Sequence, residues 1–247
     1  MIKMLLMAGG LSFAALATGG CAFISDDEDE KGAATGTASG DGSTRNYAVS
    51  GFTGIVVAGS DDVEVTRGER FSVTATGDAE VLDRLIVRID GDKLEVRRRS
   101  GSWSGSGSAT VRVTMPALTS IEAVGSGSIT ADTLTGEDAS IDIAGSGDVR
   151  LSGVAARKLT VGIAGSGEVE ASGTADTIEA GIAGSGSLSA PSLTARTADI
   201  DIAGSGSVTM AVTGTAEIGM LGSGDVTLTG GATCTTSKMG SGEVVCS

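Results

Sequence analysis

The tripeptide Gly-Ser-Gly recurs with its first glycine at positions 125, 145, 165, 184, 204, 222 and 240. The steps run from 18 to 20 residues. Self-similarity at a fixed period of this size marks a repeat architecture, in which each unit covers the core of its neighbour. With the first glycine as origin, the residues four places on are Ile129, Val149, Val169, Leu188, Val208, Val226 and Val244. Those two places before it are Ala123, Ile143, Ile163, Ile182, Ile202, Met220 and Lys238. Even offsets are apolar and odd offsets are mostly small or polar, which is the period of a strand. Each repeat therefore reads as two short strands flanking GSG.

The choice between an antiparallel and a parallel arrangement rests on the columns. In a parallel β-solenoid, equivalent residues stack about 4.8 Å apart along the axis, so each column favours one residue type. An antiparallel meander imposes no such identity, and the two-residue turns that close its hairpins do not occur between these repeats. The expected fold is all-β: a parallel β-solenoid (β-helix) with coils of about 20 residues. About seven regular coils fill 119–247, with irregular N-terminal coils over 46–118. A β-barrel or sandwich is the alternative. The glycines then mark a corner. Glycine takes positive φ without steric cost and lets neighbouring backbones approach. A phosphate loop is excluded, since neither GK[ST] nor a helix follows any GSG.

The irregular half alternates as strands over 54–68, 70–77, 84–98 and 109–115. "IVVAGSDDVEVTRG" (55–68) reads as a repeat that has lost its second glycine. One helical turn is expected in 78–85, a charged turn at Asp90, Asp92 and Lys93, and a projecting solvated loop over 97–108. That loop carries Arg97, Arg98, Arg99 and the single Trp103.

In the last repeat Thr236 and Lys238 occupy columns that are apolar elsewhere, as suits a coil with one side in water. Cys234 and Cys246 lie six residues on either side of Gly240, both at inward offsets. They are expected to face each other across a thin core and form a disulfide, worth about 3 kcal/mol by loop closure.

The N-terminus reads as an export signal. Lys3 precedes an apolar run from Met4 to Ala17, too short to span a bilayer. "TGGC" then ends at Cys21, resembling the lipobox of bacterial lipoproteins, in which the cysteine is lipidated. Thr18 departs from the leucine usual three places before that cysteine, and "ALA" (15–17) offers an ordinary cleavage site instead. Residues 1–20 are thus the expected signal peptide and 21–45 an acidic, Gly/Ser-rich tether that cannot bury enough apolar surface to order itself. Ala22 behind Cys21 suits outer-membrane sorting. The expected localisation is the cell envelope, with the membrane as partner through the lipid anchor.

Composition narrows the chemistry. There is no His, and the formal net charge is −14. The absence of His removes the commonest general base and metal ligand, and the negative charge argues against nucleic acid. No catalytic residue and no cofactor is expected. The residue after each second glycine supplies the one metal candidate. Asp148 with Glu168, and Asp225 with Glu243, would stack on adjacent coils and could share a calcium ion; a solvated acidic ridge is the plainer account.

The ordered set "YAVSGFTGIVVAGSDDVEVTRG" (47–68), "DGDKLEVR" (90–97), "VRVTMPALTSIEAVGSGSI" (111–129) and the GSG series to 246 resembles the putative auto-transporter adhesin, head GIN domain family. The resemblance covers roughly 47–247. It implies an exported, often lipidated β-helix, and its adhesin label implies surface attachment; it brings no catalytic residues. Three functions follow as expectations: an envelope-anchored, adhesin-like module for a protein or glycan ligand; a homo-oligomeric structural solenoid that self-assembles as bactofilin-like solenoids do; and a glycan- or calcium-binding solenoid.

Overall fold

The computed structural model describes residues 34–35, 38–40, 43–99 and 107–247. The expected signal, the expected lipobox with Cys21, most of the expected tether, and Trp103 lie outside them. The described chain is a β-solenoid of about six turns with coils of about 20 residues, and six turns are what separate seven GSG corners.

The N-terminal part contributes β1 (Ala34–Thr35), β2 (Ala38–Gly40), β3 (Thr44–Tyr47), β4 (Gly54–Gly59), β5 (Asp62–Arg67) and β6 (Ser72–Thr76). After helix α1 (Ala79–Leu82) come β7 (Leu85–Asp90), β8 (Lys93–Arg98) and β9 (Thr110–Met115). The regular part runs through β10 (Ser120–Gly125), β11 (Ile129–Ala131), β12 (Leu134–Gly145), β13 (Asp148–Gly165), β14 (Glu168–Gly184) and β15 (Ser187–Gly204). It ends with β16 (Ser207–Gly222), β17 (Asp225–Thr229), β18 (Thr233–Gly240) and β19 (Glu243–Cys246).

All pairing between coils is parallel and keeps the columns in register. Gly125 lies on Gly145, then Gly165, Gly184, Gly204, Gly222 and Gly240. The coils differ in length, and the difference is absorbed in one stretch. Register shifts fall between Leu151 and Val154, Glu170 and Ser172, and Ala190 and Thr194, all at or beyond the second inward residue after the corner, with one more between Ala195 and Thr197. The corner itself never slips. The core consists of stacked aliphatic columns: Ile121, Ile141, Ile200 and Ile218 are fully buried, as are Ile129, Val149, Val169 and Val208.

The irregular N-terminal coils expected over 46–118 do not follow one another in chain order. β4–β5 is a true coil beneath β10–β11, with Gly59 under Gly125 and Val63 under Ile129. The coil below that one comes later in sequence, because β8 pairs under β4 and β9 under β5. Between them the chain makes antiparallel strands instead of a coil. β6 pairs with β9, β3 with β6, and β7 with β8. The helix adds Val81 and Leu82 to the core. The reason is physical. A first coil with nothing beneath would leave a strand edge and an apolar core end open, and antiparallel strands end the parallel stack there.

Both corner glycines are required, for different reasons. The first has φ between 121° and 136° at all seven corners and at Gly59, a region that residues with a Cβ avoid. A Cβ on Gly145 would also strike the Gly125 carbonyl oxygen, at 2.2 Å. The second needs space only: a Cβ on Gly147 would lie 2.3 Å from the Gly127 oxygen. Gly181 is a useful contrast, since a Cβ there meets nothing within 4 Å. Gly145→Ala should therefore destabilise by at least about 3 kcal/mol, through backbone strain and collision, and lower Tm by about 6–12 °C. Gly181→Ala should stay within about 0.5 kcal/mol of the parent. Thermal melting of the two variants side by side checks both.

Candidate functional site

With the interior filled by aliphatic columns, whatever this fold presents to another molecule is on its outer wall. Three features of that wall are built from the repeat.

The first is a ridge along the corners. The residue before each first glycine points outward, giving the column Val124, Ala144, Ala164, Ala183, Ala203, Leu221 and Met239 in register. Val124 is 41% exposed, Leu221 59% and Met239 72%. Beside it runs the column of exposed serines, from Ser126 and Ser146 to Ser223 and Ser241. Their backbone N–H groups donate to the glycine carbonyl of the coil below, as Ser146 does to Gly125 at 2.8 Å. Alternation alone places this apolar column outside, where it is easily passed over among the small residues of the odd offsets.

The second is the set of carboxylates after the corners. Asp148 stacks on Glu168 and Asp225 on Glu243, the adjacency on which the calcium reading rests. The structure gives these side chains another use. Asp148 Oδ1 accepts the backbone N–H of Glu168 at 3.3 Å, and Asp225 Oδ1 that of Glu243 at 3.0 Å. Asp62 does the same for Ser128 at 3.0 Å. Arg150 lies between Asp148 and Glu170. Among the described residues no group of three or more His, Cys, Asp or Glu side chains is placed to hold a metal ion.

A further acidic group lies on the face leading into the corner. Glu179, Asp199 and Glu217 stack in one column, with Asp201 two residues beyond Asp199. Asp199 is pushed above the usual carboxylate range by burial first, then by Asp201, Glu217 and Glu179. Lys158 pairs with Glu179 at 2.8 Å. Asp142 is raised in the same direction by burial and by Glu122, with Lys93 opposing. Residues 119–247 hold fifteen acidic and five basic side chains, net −10, whereas 43–118 hold ten of each. The anionic wall thus belongs to the regular coils, and the N-terminal part is charge-balanced.

The third feature is a buried clamp at the base, where the sequence reading needs correcting. Asp61 stands where the other corners have their second glycine. It is only 2% exposed. Its carboxylate accepts two bonds from Arg98, Nε at 2.8 Å and Nη2 at 2.5 Å, and one from the Ala109 backbone N–H at 2.7 Å. Arg98 Nη2 also reaches the Gly107 carbonyl at 2.7 Å. A side chain is tolerated here because β8 and β9 are joined by the longer 99–109 connection and not by a tight corner. Arg97 is likewise committed, lying 3.2 Å from Glu95, which also pairs with buried Arg88. So β8 continues through Arg98, and Arg97 and Arg98 are structural residues, not part of a solvated loop. Only Arg99 of the three is exposed. An acid replacing a glycine inside a repeat was the available signal; its partner could not be named without knowing that β8 lies beneath β4. Asp90, Asp92 and Lys93 form the β7–β8 hairpin turn, with Gly91 at φ +60°. Asp92 accepts the Thr53 N–H through its backbone carbonyl at 2.8 Å.

Cys234 and Cys246 are joined by a disulfide in the structure, with Cα atoms 6.6 Å apart. Lys238 folds over the core end and donates to the Gly242 carbonyl at 2.6 Å.

The family model described as putative auto-transporter adhesin, head GIN domain matches residues 51–232. The chain belongs to this family. Solved structures share the fold. A putative adhesin from Bacteroides fragilis superposes with TM-score 0.72 at 22% identity, over 83% of this chain and 96% of the other. A putative lipid binding protein from Parabacteroides distasonis gives 0.65 at 26%, over 83% and 96%. A putative adhesin from Parabacteroides merdae gives 0.65 at 17%, over 83% and 95%. No curated protein matches the sequence. As a head GIN domain, the chain falls in a family described as putative auto-transporter adhesins, and two of these three solved structures are likewise described as putative adhesins.

Two outcomes test the site's physics. Asp61→Asn leaves Arg98 facing a neutral amide in a covered position and should cost about 2–4 kcal/mol, read as a fall in Tm. Asp199 has a folded-state pKa above its unfolded one, so the native state takes up its proton first and this group adds stability as pH falls through that window. Asp199→Asn should therefore be more stable than the parent at pH 7. The gap should close as pH drops toward about 4, near the ordinary carboxylate value. Urea melts from pH 7 to pH 4 measure it, and a constant gap would remove the electrostatic account.

Proposed function

We propose that the protein is a non-enzymatic, envelope-anchored binding module, adhesin-like in action, whose working surface is the outer wall beside the GSG corners. The observation that carries this is the outward apolar column, exposed at Val124, Leu221 and Met239. Exposed apolar side chains standing in a straight row beside a hydroxyl ladder suit contact with an extended protein or glycan. Family membership supports the same reading. The anchor is assigned to Cys21, with 1–20 as the signal peptide and 21–45 as the tether. The outer membrane is the assigned address.

Self-assembly into a filament is less well supported. Antiparallel strands end the parallel stack at the base, and at the other end Thr236 and Lys238 interrupt the apolar columns. Head-to-tail growth would need a matching parallel edge at both ends. The lipid-binding description of the Parabacteroides relative comes to this chain only as a surface role, because its inner columns are filled by side chains.

The test has two arms. In cells, labelled palmitate should enter the parent and not Cys21→Ser; no label in either would assign processing to the site after Ala17. In vitro, the immobilised domain should be challenged with native envelope fractions and a glycan array, with and without Ca²⁺. Retention should fall at least about tenfold in Leu221→Ser/Met239→Ser. Equal retention by this variant would move the working surface elsewhere, and retention only with Ca²⁺ would favour the carboxylate ladder.

A further inference from the structure

The last coil has an unusual balance of forces. Across residues 230–247 only Gly242 is buried; Ala232, Cys234 and Val244 are half-covered and the rest are exposed. The coil beneath is the reverse. Ala216, Ile218, Met220, Val226 and Leu228 are all between 0% and 4% exposed. Register places Cys234 over Ala216, Thr236 over Ile218, Lys238 over Met220, Val244 over Val226 and Cys246 over Leu228. The terminal coil therefore covers an apolar rung while gaining little burial of its own. Segments with few buried apolar contacts open at low free energy unless something else holds them.

What holds this one is visible. The coil closes on itself, with Gly231 N–H donating to the Ser247 carbonyl at 2.9 Å, and Ser247 N–H donates down to Leu228 at 2.9 Å. The disulfide joins its two inward-facing ends, twelve residues apart in sequence. Among the described residues neither β18 nor β19 pairs with a strand above it. Lys238 places a charge over the core end, a device that blocks pairing at an exposed strand edge.

We propose that residues 230–247 form a disulfide-latched lid over the apolar rung 215–229, released by a dithiol reductant. Cys246 is exposed and Cys234 half-exposed, so the bond can be reached. A reductant thiolate attacks one sulfur, giving a mixed disulfide and freeing the other cysteine as thiolate. The reductant's second thiol then displaces the remaining cysteine. The protein gains two electrons and two protons, and the reductant leaves as its own disulfide. The freed coil loses its closure and swings off, baring Ile218, Met220, Val226, Leu228 and the strand edge beside them. The inference is independent of what the outer wall binds.

Hydrogen exchange on the full chain, oxidised and in dithiothreitol, tests it. On reduction, amides of 233–247 should exchange at least about tenfold faster, approaching a hundredfold if the whole loop-closure effect is lost. Amides of 187–211 should keep their rates, and a hydrophobic dye should gain fluorescence. Cys234→Ala/Cys246→Ala should reproduce the reduced pattern without reductant; if that variant fails to fold, the dithiothreitol experiment on folded parent decides alone. Unchanged exchange in 233–247 on full reduction would show that hydrogen bonds suffice and there is no latch. Equal acceleration across the whole domain would show that the disulfide supports the fold globally, and would also overturn the lid.

Discussion

The serine N–H that reaches the glycine carbonyl of the coil below fixes the rest of this molecule. That bond exists because two backbones come closer at the corner than any side chain allows: a Cβ on the upper glycine would lie 2.4 Å or less from the lower oxygen at every GSG step. Once one corner sits on another, the strands on either side are in register, and each inward offset becomes a vertical column. The Ile and Val columns follow from the corner. Variation in coil length is pushed out to residues such as 151–154, where a register shift costs less than it would at a point of backbone contact.

The same constraint explains where the architecture breaks. A corner needs a corner beneath it. Gly59 begins one, but the coil below has a longer 99–109 connection in its place, so Asp61 can carry a side chain. A buried carboxylate must then be neutralised, and Arg98 with the Ala109 N–H does so. The clamp is a local solution to the loss of a repeat element, and it ties the out-of-order coil β8–β9 to the first regular one. At the far end the problem is solved with a disulfide and a lysine. The described stack is thus bounded in two ways: antiparallel strands at the base and a covalent closure in its last described coil.

Most of the regular half is legible in the chain, because a column repeats the same evidence seven times. Ile141, Val161, Ile200 and Ile218 all report one inward position, and the glycines all report one corner. The placement of Cys234 and Cys246 at inward offsets follows from the same frame. The irregular half carries no such redundancy. That β8 lies below β4 depends on Leu94 meeting Ile55, a contact between residues 39 apart with no periodic signal to announce it. Asp61 and Arg98 are separated by 37 residues and join only once that swap is known. "RRRSG" reads as a loop locally, yet Arg97 and Arg98 are strand residues, Arg98 held by the distant Asp61 and Arg97 by Glu95 of its own strand.

Even within the regular half, alternation reports which side a residue faces and not what the outer side is for. The column before the corner is alanine in four consecutive coils, from Ala144 to Ala203, and this suits a face that only has to stay flat. At Leu221 and Met239 it becomes large, apolar and exposed, where stacking would have been served as well by alanine. A structural demand does not account for that change. Apolar area left in water on an otherwise anionic wall costs free energy unless something covers it. The top of the corner ridge is therefore the part of the wall that stability alone does not explain.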